Sequence, residues 1–131
     1  MRVADRVLAD TCAWIDFFNA RPTPLAAALE GSLRRGEVCT CGIVKYELVQ
    51  GVKGKDEERI LFGALQAVDH LEMTESLWVK AGRLAGNLRW QGTTIPLSDI
   101  LIAALSLEQN LTILSVDRHF ALIEGLNVIA E

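Results

Sequence analysis

Arg6-Val7-Leu8-Ala9-Asp10-Thr11-Cys12-Ala13-Trp14-Ile15-Asp16-Phe17-Phe18-Asn19 is the stretch whose reading decides the fold. Residues 6–10 form a short apolar strand, and residues 11–19, with Trp14, Ile15, Phe17 and Phe18, suit a packed helix, so the strand-to-helix junction falls at Asp10. The alternation continues outward. Pro22 and Pro24 mark a turn and a helix entry, and residues 25–35 carry Leu25, Ala28, Leu29 and Leu33 at helical spacing before Gly36. Residues 37–41 read as a second strand, 42–52 and 56–68 as helices around the Gly51 to Gly54 break, and 70–73 as a short strand. Residues 75–90 are the clearest amphipathic helix, whereas 96–109 place apolar side chains all round the axis and predict a buried one. A strand at 112–115, a short helix at 119–123 and a strand at 127–129 complete the chain. The expected class is α/β: a three-layer α/β/α sandwich around a central, mainly parallel sheet, with chemistry at the carboxyl ends of the strands.

Composition bounds the function. At 131 residues the chain is expected to be a single domain, 1–131. Half the residues are hydrophobic and 23% are charged, which excludes a disordered chain and leaves apolar side chains, including Trp14, Phe17, Phe18, Leu61 and Phe62, for a core or a partner. No stretch approaches the roughly 18 to 20 apolar residues of a membrane span, and Met1 to Arg6 lacks the apolar block of a secretion signal, so a soluble, cytoplasmic protein is expected. Three cysteines are an odd count, and Cys39 and Cys41 read as reduced thiols in a buried strand. His70 and His119 have no His or Cys at ligand spacing and read as ordinary surface or packed residues. The net charge of -4 supplies no global attraction for nucleic acid, so a polyanion must be met by local basic side chains.

Four carboxylates stand where a packed fold would make them expensive. Asp10 ends the first strand, and Asp117 lies just past the strand ending at Ser115. Either could cap a helix or turn. Glu47 falls within the apolar sector of its helix, near Ile43, Val44, Leu48 and Gly51, which turns a carboxylate inward and demands a cation, a base or a proton. Asp99 opens the most apolar helix, either as a cap or on a face with Ala103, Ser106 and Asn110 whose small side chains leave room for an ion. In the sandwich these four can meet. Two like charges about 4 Å apart repel by about 4 kcal/mol at an effective dielectric near 20, so a divalent cation or bound protons must compensate. All-oxygen ligands select Mg²⁺ or Mn²⁺ over zinc.

At these residues the chain resembles the PIN-domain ribonucleases, and specifically the small stand-alone toxins of the VapC type. Leu8-Ala9-Asp10-Thr11-Cys12 matches their opening strand and D-T/S-S/N, and Val44-Lys45-Tyr46-Glu47-Leu48 matches the helix bearing their second acid. Asp99-Ile100-Leu101-Ile102-Ala103-Ala104 matches D-x-x-I-A-A, and Ser115-Val116-Asp117-Arg118-His119-Phe120 matches T-x-D-x-H-F. Cys12 replaces the usual hydroxyl or amide, and Ser115 replaces a threonine. The resemblance implies a metal-dependent endoribonuclease that hydrolyses RNA phosphodiesters. Its catalytic carboxylates would be Asp10, Glu47, Asp99 and Asp117, with Glu47 either holding a second ion or orienting the attacking water. Asp10, Asp99 and Asp117 would hold one or two Mg²⁺ or Mn²⁺ ions directly or through water, and Thr11 and Ser115 would support the site. Lys45, Lys53, Arg83 and Arg118 are candidate RNA contacts. The family also implies a homodimer and a cognate antitoxin that fills a groove.

Two rival readings remain open on the residues alone. Asp10 could be the phosphoryl acceptor of a phosphohydrolase or receiver-type domain. The dehalogenase pattern, however, requires a second Asp where Cys12 stands, and a receiver wants an acidic pair at the first strand and a late Lys. A non-catalytic RNA- or protein-binding module is the other, and an inward Glu47 argues against it.

Overall fold

A computed structural model describes residues 6–129. Residues 1–5, which carry most of the opening segment read above as lacking a secretion signal, lie outside the described residues. Five strands, β1 (Val7–Ala9), β2 (Val38–Cys41), β3 (Asp69–Leu71), β4 (Thr112–Leu114) and β5 (Asn127–Ile129), form one sheet in the order β3-β2-β1-β4-β5. Every pairing is parallel. Six helices flank it among the described residues: α1 (Thr11–Phe18), α2 (Pro24–Arg34), α3 (Gly42–Gln50), α4 (Lys55–Gln66), α5 (Glu75–Trp90) and α6 (Leu97–Gln109). The α/β/α sandwich read from the sequence is the observed architecture. The third strand starts at Asp69 rather than His70 and ends at Leu71, because its pairing to Cys39, Thr40 and Cys41 fixes its extent.

Burial explains the strand compositions. β1 and β2 are buried along their whole length, so both faces of the central strands must be apolar or satisfied within the fold. Cys39 and Cys41 lie in this interior as free thiols, and burial pushes both above the ordinary thiol range. α6 is the helix sequence periodicity marked as encircled by core: Ile100 through Ser106 are all buried. Asn110 ends it in the left-handed region at φ 55°, a conformation that asparagine tolerates better than most residues. Trp14 is fully buried and stacks on Phe18 at 5.7 Å, so it belongs to the core rather than to a partner-facing surface. Leu61 is likewise core, while Phe62 is exposed. No helix among the described residues is long and apolar enough to cross a membrane.

Strand order positions the site. The chain builds outward from β1 on one side through β2 and β3, then crosses to build β4 and β5 on the other. The order therefore reverses between β1 and β4, and the loops leaving those strands diverge to open a crevice at their carboxyl ends. Ala9 pairs with Leu114, so Asp10 and Ser115 emerge side by side at that crevice.

Candidate metal centre and adjoining groove

Asp10 leaves β1 and caps α1. Its backbone N–H donates to the Leu114 carbonyl at 3.0 Å, its Oδ1 accepts from the Thr11 N–H at 2.8 Å, and its Oδ2 accepts from the Ser115 hydroxyl at 2.8 Å. The cap reading thus holds for this side chain. Burial raises the Asp10 pKa, the bonds from Ser115 and Thr11 work against that rise, and the charges of Glu47 and Asp117 add to it. The Cys12 Sγ lies 3.7 Å from the Ser115 Oγ, and so meets the hydroxyl that orients this carboxylate.

Asp117 follows β4 and caps a short 3-10 helix, Arg118–Leu122. Its N–H donates to the Ser115 Oγ at 3.0 Å, and its Oδ1 accepts from the His119 N–H at 2.9 Å. Asp99 enters from the first turn of α6 and is only 6% exposed. The cap reading fails for it, since the helix starts after Pro96 with no side-chain cap. Its Oδ2 lies 2.7 Å from His119 Nδ1, which is also 2.8 Å from Asp117 Oδ1. Burial is the main reason its pKa is pushed up to about 6; the His119 contact lowers it, and Asp117 and Asp10 raise it.

Glu47 differs from its sequence reading. It is half-buried rather than interior, because α3 is a short helix whose Glu47 side borders an open groove. Its Oε1 accepts from the Thr11 hydroxyl at 2.6 Å, so the partner it needed is a neutral donor from α1. His119 is the residue that sequence reasoning missed. Asp99, Asp117 and His119 present ligand atoms that all lie within 4.8 Å of one another. Asp10 stands beside this group with both oxygens engaged by Thr11 and Ser115. The donor set, two carboxylates and an imidazole with a third carboxylate adjacent, fits a divalent cation.

A groove of about 430 Å³ adjoins Glu47, lined by Ile15, Phe18, Leu48, Val52, Lys53 and Ile60 among others. Of the basic residues considered for RNA, Lys53 lines this groove, Arg118 is exposed next to Asp117, Arg83 is exposed on α5, and Lys45 is half-buried on α3.

The PIN domain profile matches residues 7–126, which is nearly the whole chain. The chain belongs to the PIN-domain family. No curated protein sequence matches it significantly. Among solved structures, VapBC2 from Rickettsia felis, bound to a DNA fragment from its promoter, matches with a TM-score of 0.78 and 20% identity over 94% of this chain and 96% of that one. VapBC-1 from nontypeable Haemophilus influenzae gives 0.77 and 22%, and FitAcB from Neisseria gonorrhoeae 0.73 and 22%, each again covering 94% of this chain and 96% of the other. At such identities the likeness is one of fold. Within this PIN domain the four acidic positions sit on β1–α1, α3, α6 and the β4 exit, and the fold draws them toward one crevice.

Proposed function

We propose that this chain is a Mg²⁺- or Mn²⁺-dependent endoribonuclease toxin of the VapC type, acting as one domain over residues 1–131 in the cytoplasm and restrained by a cognate antitoxin. One observation carries the reading: buried Asp99 and half-buried Asp117 converge where the strand order reverses, with buried Asp10 beside them. Carboxylates gathered there at neutral pH need a cation, and Asp99, Asp117 and Asp10 would hold one or two ions directly or through water. When bound, such an ion lowers the pKa of water and neutralises charge on the phosphoryl oxygens.

The remaining work falls to the protein. Ser115 and the Thr11 N–H fix the rotamer of Asp10, and the Thr11 hydroxyl fixes Glu47. Glu47 orients the attacking water. Lys45, Lys53, Arg83 and Arg118 would supply the phosphate contacts, so binding depends on local charges rather than on the net charge of -4. A narrow acidic crevice admits one splayed strand more readily than a duplex. The groove beside Glu47, with Ile15, Phe18 and Ile60, would take an apolar segment of the antitoxin. Support comes from two further similar structures, one described as a toxin-antitoxin complex from Klebsiella pneumoniae and one as VapBC-5 from Mycobacterium tuberculosis, a member of the VapBC family of toxin-antitoxin systems. Exposed Tyr46 and Trp78, which line a second cavity with Met73 and Leu101, offer the face for a homodimer.

The test uses purified protein free of antitoxin, RNA, and Mg²⁺ or Mn²⁺ with and without EDTA, beside Asp10→Asn. Cleavage should require the ion and vanish in the variant. Cleavage that survives chelation or the substitution overturns the proposal.

A further inference from the structure

Building on the metal-dependent reading above, we propose that His119 is a nitrogen ligand of the ion held by Asp99 and Asp117, and that this donor shifts the site's preference from Mg²⁺ toward Mn²⁺. His119 is held at two points. Its backbone N–H donates to Asp117 Oδ1 at 2.9 Å, and its ring Nδ1 sits 2.7 Å from Asp99 Oδ2 and 2.8 Å from Asp117 Oδ1. The neighbouring Phe120 is buried, which anchors the 3-10 turn carrying the imidazole.

The ring contacts do not satisfy both carboxylates. Nδ1 carries at most one hydrogen and can give a full hydrogen bond to one of its two oxygen neighbours. A cation shared by the three atoms removes that mismatch. With metal–ligand bonds of about 2.1 Å, adjacent donors of an octahedral ion lie about 3.0 Å apart and opposite ones about 4.2 Å. The three donors here all lie within 4.8 Å of one another, and Nδ1 is 2.7 and 2.8 Å from its two oxygen neighbours, so the group is gathered on the scale of one coordination sphere. Chemistry sets the preference. Mg²⁺ takes oxygen ligands and keeps its waters, whereas an imidazole nitrogen is a better donor to transition metals.

The test is a binding measurement on the metal-free full chain. Wild type, His119→Ala, His119→Gln and Asp99→Asn are titrated calorimetrically with Mn²⁺ and separately with Mg²⁺. Each Mn²⁺-loaded protein is then examined by pulsed electron paramagnetic resonance for coupling to ¹⁴N. Far-UV circular dichroism and metal-free melting check that each variant folds, and His119→Gln keeps a polar side chain in the turn. Wild type should show ¹⁴N coupling that both His119 variants lose, with Mn²⁺ affinity falling about tenfold or more and Mg²⁺ affinity changing less than about threefold. Mn²⁺ bound without nitrogen coupling overturns the role of His119 while leaving the carboxylate site intact. Equal losses for both ions, or gains in the His119 variants, do the same. A wild-type chain that binds neither ion, no better than Asp99→Asn, overturns the metal reading and this inference together.

Discussion

Asp99 and Glu47 approach Asp10 from different helices and meet different surroundings. Asp99 is buried against the imidazole of His119 and the charge of Asp117, and its pKa is raised by that burial. Glu47 is half-buried, held by one neutral hydroxyl, and borders a groove lined with apolar side chains. The first corner concentrates charge that a bound cation or protons must offset. The second positions one carboxylate at the mouth of a surface that a larger ligand can cover.

Substitutions should separate the two corners. The largest effect is expected from Asp99→Asn, which should lower RNA cleavage by about a thousandfold and abolish the rise in Tm that Mn²⁺ produces, because binding to the native state is lost. Glu47→Gln should lower cleavage by about ten- to a hundredfold yet keep the Mn²⁺-induced rise in Tm. Loss of the Tm response in both variants would break the distinction. On the groove side, Ile60→Asp should weaken antitoxin binding by about tenfold, read by calorimetry, while cleavage by the free protein stays unchanged. Thr11→Val removes the hydroxyl holding Glu47, and denaturant unfolding should register a cost of about 1 kcal/mol.

The smallest effect is a pH slope in the chelated protein. Burial raises the Asp99 pKa from 3.8 to about 6, so between those values the native state keeps a proton that the unfolded chain has released. Stability from this group is therefore lost as pH rises through about 4 to 6, and Asp99→Asn should flatten that part of the Tm profile. Saturating Mn²⁺ should restore stability above that window.

Sequence periodicity carried the sheet and its helices because each strand is short, apolar and followed by a turn, and because α6 has no polar side to expose. The acidic positions of Asp10 and Asp117 were legible for the same reason: both end strands. His119 was not. Its companions are carboxylates, one of them in a helix twenty residues earlier, and not a His or Cys at ligand spacing. The Asp117-x-His119 spacing across a tight turn was the available signal. Glu47 was placed too deep because a helical wheel ranks directions on one helix and contains nothing about whether a neighbour closes over it. The same gap left Trp14, Phe18 and Leu61 open to either a core or a partner: Trp14 and Leu61 are core, and Phe18 lines the groove together with Ile15 and Ile60, which the sequence did not single out for a partner.

Ser115 gives its hydrogen to Asp10 and accepts one from the main chain of Asp117, so a single oxygen spans the two strand exits. The rotamer of the Asp10 carboxylate is thereby tied to the main-chain turn that carries Asp117, while His119 holds the Asp117 carboxylate itself. Deleting that oxygen in Ser115→Ala would loosen Asp10 from the turn and leave the Asp117 N–H without its acceptor.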